Sequence, residues 1–440
     1  MVRRGRHGHA GMTLVEIMIT LVISSIIAAS TFMFFAGQQR IYETQTKLLN
    51  IQQNLWAAME VVARYTRASG SGMFECVRPA SYANAAAAGA SRLRSTSPSD
   101  SPVTSGGGVI TSLASRPQTG LRAYDASTSA MQWIPPLWIV DNSTSDTGVR
   151  EDTDIMTVAF GNRTSGTDVD AALALNVTDF GPGVSLSLNG TNTGNMFRQW
   201  EFILLLVTPD WGFGTDPLVD RGCTMLQVTN NPAGSTLLEH ASTPSQTGGI
   251  VWNPPADISG MGPLAGYVGN SSGVRNFGQL TWVTFYVATG ANGIPNLMMQ
   301  QRHLPGDSGT AQVLAEGIED LQVSFACDTG SIAIYSLAGL NGELDEGTND
   351  NSCQSDEWWN NVPADILPAI NTDGFCNLPT AVRITLVART LTPDDLIDAT
   401  LTGNGPMDIE NHRYSSPRPT DSYRRRVLTT TVYPRNNKPL

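Results

Sequence analysis

Two hydrophobic rhythms divide the chain. From Met12 to Ala36 nearly every position is apolar, interrupted mainly by small hydroxyl residues. About 25 such residues span roughly 37 Å as a helix, enough to cross the apolar core of a bilayer. Beyond that run the pattern turns mixed. Leu48, Ile51, Leu55, Met59 and Val62 recur at spacings of three and four, with Lys47, Asn50, Gln52, Gln53 and Asn54 around them. This spacing predicts an amphipathic helix with one face laid on a globular head. Ser69-Gly70 marks its end. One helix from Met12 to Ala68 would be about 85 Å long.

Further along, short apolar runs alternate with turn residues. Ile155–Phe160, Phe202–Val207, Trp282–Val287, Leu321–Phe325, Val382–Val387 and Val427–Tyr433 read as strands, with Gly, Asn, Asp and Pro between them. The expected class is α+β: a long N-terminal helix packed on a mostly antiparallel β head with long loops. The expected organisation is a basic leader at 1–11, a membrane-spanning half-helix at 12–36 and an amphipathic half-helix at 37–69. A flexible Ala/Ser/Gly-rich segment follows at 70–130, then a β-rich head at 131–440.

Charge narrows the partners. The net charge is -12 and the pI about 4.8, which argues against nucleic-acid binding. The five cysteines, Cys76, Cys223, Cys327, Cys353 and Cys376, include no C-x-x-C pair. A disulfide among Cys327, Cys353 and Cys376 and buried free thiols are both open readings. Gly306-Asp307-Ser308-Gly309 reads as a turn, because no histidine sits in a matching catalytic context. With no P-loop, no G-x-G-x-x-G and no H-E-x-x-H, nothing argues for an enzyme. The segment holding Asp345, Asn349, Asp350 and Asp356 is dense in hard oxygen ligands. It is either a calcium loop or a solvated acidic loop, and no other cofactor is expected.

The N-terminus carries the functional argument. Arg3, Arg4 and Arg6 precede the apolar run, which places the leader in the cytoplasm and the head outside. Glu16 is the only charge between Met12 and Ala36. A carboxylate in a membrane helix is costly without a partner, and no Lys or Arg lies within a helical turn. A free amine four residues upstream, preferably a neighbouring subunit's, has the right sign.

The stretch Gly11-Met12-Thr13-Leu14-Val15-Glu16 resembles the prepilin processing motif. The resemblance implies that a membrane prepilin peptidase cuts between Gly11 and Met12 and N-methylates Met12. It also implies that Glu16 is the subunit-assembly carboxylate. Met12 stands where major pilins usually carry Phe, and the membrane helix lacks Pro; both departures favour a minor subunit. Three later stretches resemble the PilW family of minor pilins: Val313 to Val323, Val382 to Arg389, and Tyr423 to Val432 closing on Arg435-Asn436. Together the resemblance covers about half the chain. It implies a single-pass inner-membrane protein with its head in the periplasm. The implied partners are other minor pilins, the major pilin and a tip adhesin, and the implied work is priming of pilus assembly. Two alternatives stand beside it: a GspJ-like pseudopilin of a type II secretion system, and a membrane-anchored adhesin that never polymerises.

Overall fold

The computed structural model describes residues 13–71, 93–96, 121–125, 130–133, 137–143, 148–162, 175–181, 185–188, 196–206, 223–240, 272–302, 309–327, 375–376, 379–394 and 421–434. Two compact units divide the chain, Met1–Gln53 and Asn54–Leu440. One helix, α1 (Leu14–Ala68), runs through the described part of the first unit and opens the second.

In the first unit the helix is held by its own backbone, and its large apolar side chains from Leu14 to Phe35 are exposed. By length and composition this helix is long and apolar enough to cross a membrane.

In the second unit the amphipathic pattern finds its sheet. Leu55, Ala58, Met59, Val62, Ala63 and Thr66 are buried, a stripe at helical spacing. Each large apolar side chain so covered contributes about 1.5–3 kcal/mol. The Tyr65 ring lies 5.9 Å from the rings of both Phe160 and Phe285. The helix ends where Gly70 takes a φ of 70°, a conformation glycine adopts freely. The Gly70 N–H then donates to Ala159 O at 2.9 Å, and Gly161 N–H donates to Ser71 O at 2.8 Å. Chain reversal and docking on the sheet are thus one event.

Among the described residues, seventeen strands follow. The first eight are β1 (Leu93–Thr96), β2 (Leu121–Asp125), β3 (Ala130–Trp133), β4 (Leu137–Ser143), β5 (Thr153–Asn162), β6 (Leu175–Gly181), β7 (Ser185–Leu188) and β8 (Phe202–Leu206). Next come β9 (Cys223–Gln227), β10 (Leu237–Glu239), β11 (Ser272–Thr289), β12 (Pro295–Arg302) and β13 (Thr310–Glu316). The last four are β14 (Ile318–Cys327), β15 (Phe375–Cys376), β16 (Pro379–Arg389) and β17 (Arg425–Val432). A 14-stranded sheet runs β15-β1-β4-β5-β11-β8-β9-β2-β3, with β6, β7, β10, β12 and β13 branching from it. Among the described pairings only β1–β4 and β2–β9 are parallel.

The organiser is β11, 18 residues long. Its C-terminal half pairs with β5 and β12, and its N-terminal half with β6 and β8. The register shifts between Asn276 and Gly278. Gly278 sits there at φ 74°, and its N–H donates to Asn276 Oδ1 at 2.6 Å. A bulge with glycine at positive φ lets one strand serve both halves of the sheet.

A second sheet has three strands, β14-β16-β17, with β16 central. Leu386 of β16 faces Leu321 on one side and Leu428 on the other. Two joints tie it to the large sheet. Asp154 of β5, fully buried, accepts a bond from Val323 N–H of β14 at 2.7 Å. Gly317, between β13 and β14, donates its N–H to Pro295 O, and its own carbonyl accepts Arg389 N–H, both at 2.8 Å.

Within 70–130, the described residues 93–96 and 121–125 are β1 and β2 of the large sheet. Four- and five-residue strands paired through backbone bonds leave little trace in a composition averaged over sixty residues. Among the described residues the helix begins at Leu14, capped by Thr13.

Two outcomes follow for stability. Gly317 has a φ of 78°, and a Cβ there would lie 2.8 Å from Arg389 O. Gly317→Ala should cost about 1–3 kcal/mol from the backbone conformation alone, read as a lowered unfolding midpoint. Burial pushes the His240 imidazole down to about 4, and neither ring nitrogen has a hydrogen-bond partner among the described residues. Unfolded, the group titrates near 6.5. Between those values the unfolded state holds a proton that the folded state lacks, so stability falls as pH drops through the window. The loss should be on the order of 3 kcal/mol. Denaturant titrations at pH 4.5 and 7 should show His240→Leu flattening that slope.

Candidate functional site

The start of α1 is built by reciprocal hydrogen bonds. Thr13 is the last non-helical residue. Its backbone N–H donates to Glu16 Oε2 at 2.9 Å, and its hydroxyl donates to the same oxygen at 3.1 Å. Glu16 N–H in turn lies 3.3 Å from Thr13 Oγ1, which accepts. This is a capping box: a hydroxyl residue and a carboxylate three positions on satisfy each other's backbone donors. It also sets the acid at the positive end of the helix dipole. The sequence reading looked for the partner of Glu16 in another subunit. The structure adds one within the chain. The signature Thr-x-x-Glu before an apolar run was available to find it.

The other polar groups of the apolar run are satisfied the same way. Thr20 donates to Glu16 O at 2.8 Å, and Ser24 to Thr20 O at 2.6 Å. Ser25, Ser30 and Thr31 donate to Val22, Ile26 and Ile27 carbonyls at 2.7, 2.8 and 2.8 Å. In lipid, where nothing else accepts, such back-bonding lets hydroxyl residues sit in a spanning helix.

A second polar constellation lies at the start of β17. The Arg425 guanidinium clamps two carboxylates. It reaches Glu319 through Nε to Oε1 and through Nη2 to Oε2 at 3.2 Å. It reaches Asp421 through Nη1 to Oδ1 at 2.7 Å and Nη2 to Oδ2 at 2.5 Å. Arg389 stands 4.0 Å from Glu319 and lies over the Tyr423 ring, 4.2 Å from its centre. Arg424 pairs with Asp394. Burial pushes the Asp421 carboxyl up, but hydrogen bonds from Arg425 and Tyr423 N–H and the charges of Arg425 and Arg389 outweigh it and hold the group low. Burial alone would lower the Arg425 pKa; the bonds and charges of Asp421 and Glu319 raise it instead. The arrangement fastens strands rather than presenting cations to a ligand, since both carboxylates saturate the fork.

The remaining expected residues fare as follows. Gly11 and Met12 lie outside the described residues, as do Asp345, Asn349, Asp350, Asp356 and Cys353. Cys327 ends β14 and Cys376 ends β15, strands of different sheets. Among the described residues no three His, Cys, Asp or Glu side chains come together as a metal site.

A capped apolar N-terminal helix and a mostly antiparallel β head make an α+β protein. Residues 6–32 match the prokaryotic N-terminal methylation motif. Residues 284–436, about a third of the chain, match type IV pilus-assembly protein W. Over these two stretches the chain is similar to PilW-type, prepilin-like proteins. The whole Arg425 constellation falls inside the second match. A type IV-like pilin from Thermus thermophilus is 12% identical over 36% of this chain and 70% of its own, with a TM-score of 0.20. No curated protein matches the chain.

Thr13→Val removes the hydroxyl half of the capping box and keeps the side-chain volume. Amide exchange at Glu16 in detergent micelles should quicken about five-fold, as expected for a lost N-cap. The head's exchange should stay unchanged.

Proposed function

We propose that this chain works as a minor pilin, a structural subunit that helps prime a type IV pilus and remains at its tip. A prepilin peptidase cuts after Gly11 and methylates Met12, the helix anchors the subunit in the inner membrane, and the head stands in the periplasm. Its partners are other minor pilins, the major pilin and an adhesin at the tip. The observation that carries this reading is the capped helix start: Glu16 is presented at the N-terminal edge of an uncovered apolar helix, one turn from the expected cut.

The Thr13 bonds suggest how assembly proceeds. Before assembly Glu16 is held by its own chain, so the subunit is tolerable in lipid. Thr13 and the backbone supply neutral donors only. A neighbour's terminal amine supplies a full positive charge, and a charge-assisted bond in a low-dielectric setting is stronger than a neutral one. Exchange of one for the other favours docking and sets the register between subunits. Glu16 then acts twice, first as a cap and then as a contact. Calcium at Asp345, Asn349, Asp350 and Asp356, and a disulfide among Cys327, Cys353 and Cys376, would be additions to the head and are not needed for this role.

Mass spectrometry of the mature N-terminus in a host with active prepilin peptidase tests the reading. The expected product begins with N-methylated Met12; a chain that keeps its first eleven residues overturns it. Glu16→Ala should be cut normally yet enter sheared fibres at least ten-fold less well. Normal incorporation of that variant would count against the exchange mechanism.

A further inference from the structure

The outermost strands of a sheet present unpaired N–H and C=O groups that can recruit another strand. Among the described residues six strands pair on one side only: β3, β10, β13, β14, β15 and β17. Five of them are guarded. β3, β10 and β15 are only four, three and two residues long. β13 is broken by a register shift against β12 between Leu297 and Met298. β14 is covered by the large sheet: Asp154 of β5 accepts the Val323 N–H at 2.7 Å, and the Asp152 carbonyl accepts Gln322 Nε2 at 3.0 Å.

The sixth strand has none of these devices. β17 holds unbroken register with β16 over eight residue pairs, from Arg425 opposite Arg389 to Val432 opposite Val382. From Val427 to Val432 it contains no charge, proline or glycine. One bond fixes where its backbone groups point. Thr390 N–H donates to Arg424 O, and in an antiparallel pair bonded and non-bonded opposites alternate. Arg426, Leu428 and Thr430 therefore turn their N–H and C=O groups toward β16. Val427, Thr429 and Thr431 turn theirs away from it. Thr429 fits this phase, since its hydroxyl lies 3.0 Å from that of Thr385 opposite, and side chains come closest at a non-bonded pair. All three outward residues are exposed, as is Tyr433 beyond them. A row of alternating donors and acceptors is matched by one kind of partner, another extended backbone.

Charge narrows that partner. Arg424 is held by Asp394, and Arg425 by Glu319 and Asp421. Arg426, next along the strand, is exposed. From Tyr423 to Leu440 the chain carries arginines and a lysine but no acid, so a second copy of this strand offers no counter-charge. An opposite charge across from Arg426 stabilises a pairing, and a like charge opposes it.

We propose that the outer edge of β17 is a strand-addition site, taken by an acid-bearing extended segment of another pilus subunit. Its backbone would bond to Val427, Thr429 and Thr431, and its carboxylate would meet Arg426. The proposal rests on the minor-pilin reading for the source of the strand, and adds the edge and the chemistry of what fills it.

The test uses the full chain purified in two ways: alone in detergent, and together with its associated subunits from membranes of a host that makes the other pilins. Amide exchange is read residue by residue in both. Alone, the Val427, Thr429 and Thr431 amides should exchange freely while Leu428 and Thr430 are protected. In the complex the three outward amides should slow about ten-fold. Protection that grows with the concentration of the chain alone marks a second copy and overturns the proposal. Arg426→Glu changes an exposed side chain and should reduce co-purification of the partner subunits about ten-fold, while Arg426→Lys keeps it. Thr429→Pro removes one outward donor without touching a β16 bond and should weaken it likewise. Undiminished co-purification of both Arg426→Glu and Thr429→Pro overturns the proposal. Pilin complexes in which the outward amides stay fast refute the strand addition and leave the minor-pilin reading intact. A wild-type chain that never co-purifies with pilins refutes the minor-pilin reading itself.

Discussion

A helix in a bilayer has no solvent to complete its hydrogen bonds, and the N-terminal half of α1 is built to meet that constraint. The hydroxyls of Thr20, Ser24, Ser25, Ser30 and Thr31 all donate to carbonyls of their own helix. The one acid sits where the helix leaves donors exposed, and is bonded there by Thr13. The result is a span that is self-contained yet holds one group whose bonds can be bettered by a cation. On the proposed reading, the carboxylate that caps the helix would also be the one a neighbouring subunit's amine engages.

In the head, several buried polar groups join elements. Asp154 links β5 to β14 through a backbone N–H, Thr157 and Thr284 link β5 to β11 across 2.9 Å, and Arg425 ties the entry of β17 to Glu319 on β14. Apolar packing would be more stabilising at some of these places. What the polar joints add is register. A strand that slipped by one residue would strand a buried carboxylate, a large penalty for a small displacement.

Much of this architecture was legible in the sequence because periodicity reports burial directly. The helix, its end at Gly70 and the strands around Ile155, Phe202, Trp282, Leu321, Val382 and Val427 all appear in the structure. The β1 and β2 strands escaped notice because Leu93-Arg94-Ser95-Thr96 and Leu121-Arg122-Ala123-Tyr124-Asp125 have no clean alternation. Their pairing comes from neighbours far away in sequence. The β11 extension back to Ser272 was hidden by Gly273, Asn276 and Gly278, residues that normally signal a turn and here make a bulge. The Thr13 cap was readable in the Thr-x-x-Glu spacing, a neutral hydroxyl three residues before the acid where the charge alone suggests a cation. Partners of Arg425 from distant segments cannot be deduced from spacing at all.

The pinned approach of Asp394 to Ser422 has a consequence for how such heads diversify. Asp394 N–H donates to Ser422 O at 2.7 Å, Thr390 N–H donates to Arg424 O at 2.9 Å, and the Arg424–Asp394 ion pair closes the same neck. The chain between residues 395 and 420 therefore begins and ends at one fastened point. Closing a loop twice as long adds only about 0.6 kcal/mol of entropy. Evolution, or an engineer inserting an epitope or a reporter, can add residues between 395 and 420 while β16 and β17 stay fastened at Asp394 and Ser422.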